Sequence, residues 1–202
     1  MAVQLFIAFY STGNKRRYHW SLIPSSTGVP SMRRRIKLYE ICKERWANDA
    51  GTTVTEHWVC ANGDKILGAS RRFMGMLAFP PCVDETTTLT DVQDILEIMP
   101  PMPHGLSEDE QQTWTCAKWI VDILLDKGPI WGLDFVDRMR ELDNLYWEIY
   151  KLAWRLEEGG WQDIAAEDGA KLRCVPFPTR FVVGGQASLP PEWGSDSDSD
   201  AW

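Results

Sequence analysis

The sequence changes character at Pro80-Pro81. Before that pair, apolar and aromatic runs of strand length alternate with clusters of Gly, Asn, Ser and Pro; after it, apolar residues recur at helical spacing. Strands and helices that do not alternate cannot build βαβ units, so a chain divided in this way is expected to be α+β, an antiparallel sheet packed against helices. The strand-like runs fall at about 3–10, 17–24, 35–42, 54–60, 65–67 and 73–79. Ser11-Thr12-Gly13-Asn14 turns the first into the second, residues 25–31 form a loop, Asn62-Gly63 reads as a hairpin turn, and Pro80-Pro81 reads as a stop.

Helical spacing places Val92, Ile95, Leu96 and Met99 on one face of a helix at about 90–99. A second helix opens within Ser107 to Thr115 and runs to Lys127, ahead of Gly128-Pro129. The third and longest, at about 133–158, carries the stripe Val136, Met139, Leu142, Leu145, Tyr146, Ile149, Leu152, Ala153 and Leu156, which core packing explains, and ends at Gly159-Gly160. From Gly184 the composition turns to Gly, Pro, Ser and Asp. Residues 1–183 are therefore expected to form a single α+β domain and 184–202 a disordered, solubilising acidic tail, in which Ser195, Ser197 and Ser199 alternate with aspartates, a context in which acidophilic kinases can act.

With 44% hydrophobic residues in 202, the chain can bury a core and is no disordered protein. A net charge of −8 argues against general nucleic-acid binding, and Lys15-Arg16-Arg17 and Arg33-Arg34-Arg35 read as solvated strand ends. No run reaches membrane-spanning length, and the apolar start lacks the charged flank and cleavage site of a secretory signal. Five cysteines with no close pair favour reduced thiols, hence a cytoplasmic or nuclear setting.

Two segments carry chemistry. Tyr18-His19-Trp20-Ser21-Leu22-Ile23 puts an imidazole on a strand, and Thr115-Cys116-Ala117-Lys118-Trp119-Ile120 puts a thiol at a helix start. A thiol becomes a nucleophile near neutral pH when a base stands beside it or the positive end of a helix lies beneath it. Side chains alternate along a strand, so if His19 faces the helix of Cys116, Trp20 faces away, and a ring on the far side of the sheet would part the pair.

The order strand-His then helix-Cys resembles the circularly permuted papain-like fold of the NlpC/P60 superfamily. By motif the chain is most similar to the lecithin:retinol acyltransferase-like proteins, with their His-x-aliphatic strand and later Asn-Cys-Glu-His-Phe-Val helix. It also looks like a set of fungal proteins built on Tyr-His-Trp and a later Cys-x-x-Trp-Val helix. That second likeness extends to about Phe181 and implies no activity. The first implies a thiol hydrolase or acyltransferase with Cys116 as nucleophile, His19 as base, no cofactor or metal, and a small-molecule, lipid or peptide acyl substrate. The acyltransferase-like proteins carry a second His on the next strand. Here Ile36-Lys37-Leu38-Tyr39-Glu40-Ile41 offers Glu40, whose carboxylate can orient an imidazole, while Thr115 stands in place of their Asn.

Other constellations are weaker. Cys174 to Arg180 has the Cys-x5-Arg spacing of a phosphate loop, but Pro176 and Pro178 remove donors. His57, Cys60 and Cys42 fit no paired-ligand spacing, and His104 sits in a Pro-Gly loop. The alternative to an enzyme is a non-catalytic interaction module that keeps the fold and meets a protein partner through exposed members of its eleven tryptophans and its acidic tail.

Overall fold

A computed structural model describes residues 2–26, 28–47, 54–82 and 86–183. The first apolar run, β1 (Gln4–Ser11), folds back into β2 (Tyr18–Ser25) in a register from Gln4 opposite Ser25 to Ser11 opposite Tyr18. The turn between them uses left-handed backbone at Gly13 and Arg16, and Arg16 lies 3.8 Å over the Trp154 ring. β1 also pairs with β7 (Phe73–Pro81), so it is enclosed on both edges and covered on both faces, which its unbroken apolar run requires. Pro80 and Pro81 belong to the end of β7 rather than stopping it, with Pro81 opposite Gln4.

The next strands form a separate ribbon. β3 (Ile36–Leu38) pairs with β6 (Gly63–Lys65), and β4 (Ile41–Ala47) pairs with β5 (Val54–Cys60), both antiparallel. Leu38 lies opposite Gly63 and Ile41 opposite Cys60, so the register survives a break at Tyr39-Glu40. Asn62-Gly63 is therefore not a hairpin turn: it lies along the ribbon, facing the break.

The helices are α1 (Leu89–Ile98), α2 (Glu108–Thr113), α3 (Cys116–Lys127) and α4 (Leu142–Glu157). Capping boxes open α1, Thr88 with Asp91, and α2, Ser107 with Glu110. The expected second helix is thus two, divided at Trp114-Thr115. The long helix also starts later than its periodicity predicts. Val136 donates to the Phe181 carbonyl (3.0 Å) and Phe135 bridges to Val182, so the stretch before 142 uses its backbone in extended pairing.

Two further strands, β8 (Gln162–Ala165) and β9 (Lys171–Pro176), follow α4, joined across Asp168-Gly169 with Gly169 at φ +72°. β9 lies parallel to β7, so the sheet is mixed rather than antiparallel, in the order β2-β1-β7-β9-β8. The helical stretch between β7 and β9 supplies the long crossover that a parallel pair needs. One face of this α+β sheet is covered by α3 and α4, which bury Phe9, Trp20, Leu22 and Phe79 with Ile120, Leu124, Leu145 and Ile149. The other face holds a smaller cluster of Phe6, Ala8, Ile23, Met76 and Cys174 with Leu38, Leu67 and Ile164. Among the described residues no helix is long and apolar enough to cross a membrane. The Ser-Asp tail lies outside them.

Candidate active site

β2 is the outermost strand of the sheet, and alternation divides its side chains. Tyr18, Trp20 and Leu22 turn to the helices: Tyr18 bonds Glu157 through its hydroxyl, and Trp20 stacks on Tyr146 with ring centroids 5.7 Å apart. His19, Ser21 and Ile23 turn to the opposite face, where His19 lies beside Tyr10 at 6.2 Å. Of the two, Trp20 thus faces the helices and His19 faces away from them. The pair is nevertheless not parted. The ring is coupled to Cys116 by hydrogen bonding and Coulomb attraction. α3 packs against both β2 and β4, so the helix whose first residue is the thiol lies beside the strand that carries the ring.

Glu40 arrives from the break in the ribbon. There Tyr39 leaves β6 and exchanges both backbone hydrogen bonds with Leu22 of β2, at 2.8 and 2.9 Å. Asn62 accepts from the Glu40 amide (3.3 Å), and the Glu40 carbonyl accepts from Ala61 (2.8 Å). With its backbone held on both sides, the nearly buried Glu40 carboxylate meets His19 Nε2 at 3.0 Å and also accepts from the Ser21 hydroxyl and the Lys65 ammonium. Burial opposes its charge, but hydrogen bonds from His19, Lys65 and Ser21 outweigh burial and hold it down at about 2. Burial likewise opposes a charged His19, and hydrogen bonds to Cys116 and Glu40 overcome it and raise the ring to about 10. At neutral pH the ring is an imidazolium that donates from Nε2 to Glu40, which leaves Nδ1 for the thiol.

Cys116 is the first residue of α3 and is 9% exposed. Thr115 caps the helix: its hydroxyl accepts from Lys118 (3.1 Å) and its carbonyl from Trp119 (3.0 Å). The amides of Cys116 and Ala117 have no acceptor among the described residues, so two N–H donors point out of the helix start beside the sulfur. The three residues singled out from sequence, His19, Glu40 and Cys116, therefore come together from an edge strand, a ribbon break and a helix start. Ser21 and Lys65 join them unforeseen. Ser21 was readable as the neighbour two residues along the His19 face. Lys65 had no local signal, because only the ribbon register brings β6 beside Glu40.

The other constellations do not assemble. Cys174 is buried within β9 in the smaller cluster, burial raises its thiol, and Arg180 lies over Phe181. His57 pairs with Glu44 across the ribbon, and no group of three or more His, Cys, Asp or Glu side chains is placed to hold a metal among the described residues. His104 is exposed in its turn. No family model, curated protein or solved structure matches the chain.

Proposed function

We propose that the protein is a Cys-His thiol hydrolase or acyltransferase with a permuted papain-like arrangement, acting on an amide, ester or thioester. The observation that carries the reading is the placement of one imidazole between Cys116 and a carboxylate that has three donors of its own. His19 takes the proton of Cys116 and holds it as imidazolium, stabilised by Glu40. The thiolate attacks the acyl carbonyl, forming a C–S bond, and the oxyanion accepts from the Cys116 and Ala117 amides. The imidazolium gives its proton to the departing amine, alcohol or thiol as that bond breaks. Water or a second acceptor, deprotonated by His19, then releases the acyl group and restores the thiol.

Competitive alkylation read by mass spectrometry tests this directly. A free cysteine near pKa 8.5 is about 3% ionised at pH 7, so full ionisation is worth about 30-fold in rate. Cys116 is expected to label faster than Cys60, which is exposed but whose thiol is raised by partial burial, Glu97 and Cys42. Equal or slower labelling of Cys116, with no response to His19→Ala, removes the dyad.

A second reading, an interaction module without catalysis, is favoured by Trp46 and Trp147, 60% and 55% exposed. It draws less support than the tryptophan content suggests, because Trp20, Trp114, Trp119 and Trp131 are all buried.

A further inference from the structure

Behind His19, on the face of the sheet away from the helices, lies a cleft of about 620 Å³. Its wall includes Tyr10, His19 and Glu40, and its rim brings Arg35, Lys65 and Arg72 together from three separate segments of chain. On a chain of net charge −8 this is a local excess of positive charge: three basic side chains against Glu40 and Asp64. Glu40 is already committed to His19, Ser21 and Lys65. Neither guanidinium has an ion-pair or side-chain hydrogen-bond partner among the described residues, while Arg34, beside Arg35, is paired with Glu167 at 3.2 Å. Two unpaired guanidiniums across a cleft of this size suit a carboxylate or a phosphate, which each can grip through two parallel N–H donors.

We propose that this cleft binds the anionic group, carboxylate or phosphate, of the substrate on which Cys116 acts, with Arg35 and Arg72 as its ligands. This rests on the acyl-transfer reading. The imidazole forms part of the cleft wall on one side and meets the thiol on the other. A molecule whose anionic end sits between the guanidiniums lies against His19, the member of the dyad that lines the cleft. The cleft sets which acyl compounds are retained, whereas His19 and Cys116 supply the chemistry.

The experiment is a titration of the full chain with inorganic phosphate, followed by the ring nitrogen resonances of His19 at constant pH, against sodium chloride of equal ionic strength. A saturable shift with a Kd of about 1–10 mM is expected, weakened at least about tenfold in Arg35→Gln/Arg72→Gln. Lys151→Gln/Lys171→Gln removes the same charge from α4 and β9, outside the cleft lining, and should leave the Kd unchanged. Acetate separates the sources: saturation by both anions assigns a carboxylate-compatible site, and saturation by phosphate alone assigns a phosphate site. The absence of a saturable shift for either anion, or the same Kd in the Arg35/Arg72 variant with its thermal unfolding unaltered, overturns the proposal. Anion binding does not need a reactive thiol. Loss of the dyad with the phosphate site intact therefore sinks the acyl-transfer reading alone, and the converse result sinks the cleft alone.

Discussion

The two faces of β2 differ in what holds them. Towards the helices, Trp20 sits between Phe9, at 5.4 Å edge-on, and Tyr146, and its environment is almost wholly apolar. Towards the ribbon, His19 and Ser21 sit on a charged and hydroxylic set centred on Glu40. Apolar packing is non-directional and tolerates small shifts, whereas the Glu40 set works only with donors at hydrogen-bond distance. The helix face thus fixes where the strand lies, and the ribbon face uses that fixed position to orient an imidazole.

The largest effect expected is on the helix face. Trp20→Ala should cost about 3–5 kcal/mol by chemical denaturation, as loss of a fully buried aromatic does. A loss below about 1 kcal/mol would mean that the two faces share the anchoring. On the other face, His19→Ala should slow alkylation of Cys116 by up to about 30-fold near pH 7 while costing far less stability than Trp20→Ala. If stability falls as far as with Trp20, the ring is a structural element rather than a base.

A smaller effect concerns pH. His19 at about 10 lies above its ordinary 6.5, so its stabilisation is complete below about 6.5 and is lost as pH rises through 10. Glu40 at about 2 lies below its ordinary 4.5, so its stabilisation is complete above about 4.5 and is lost as pH falls towards 2. Together they contribute most between about pH 4.5 and 6.5. His19→Ala should flatten the alkaline limb of the unfolding profile and Glu40→Gln the acid limb; unchanged limbs would disconnect the set from folding. The smallest effect is expected at Trp46, near the end of β4 and 60% exposed, where Trp46→Ala should change stability by under about 0.5 kcal/mol.

The sequence made β1, β2, β5, α1 and the His19, Glu40 and Cys116 trio legible, because each depends on local periodicity or on a motif within a few residues. The break at Tyr39-Glu40 was hidden because residues 35–42 read as one apolar run, and only the exchange of hydrogen bonds with Leu22 divides it. The parallel strand β9 was hidden because its partner lies about 100 residues earlier in the chain, beyond any local pattern. Which way His19 faces is not legible for a different reason: alternation puts His19 and Trp20 on opposite faces of the strand but does not say which face the helices cover. Arg72 gives no sign and Arg35 reads only as part of a solvated basic cluster, since exposed arginines become a pair only when the ribbon and β7 are brought together.

The parallel pairing of β7 with β9 also sets a timetable for synthesis. Met76, Leu77 and Ala78 find their β9 partners only when Cys174, Val175 and Pro176 have been made, about 100 residues later. At roughly 5–20 residues per second that leaves an apolar strand with one open edge for about 5–20 s on the ribosome. β1, β2, the ribbon and α3 are all complete by residue 127. The parts of the site thus emerge before the sheet that supports them can close, and the nascent chain passes its interval of greatest exposure to wrong strand partners with His19, Glu40 and Cys116 already made.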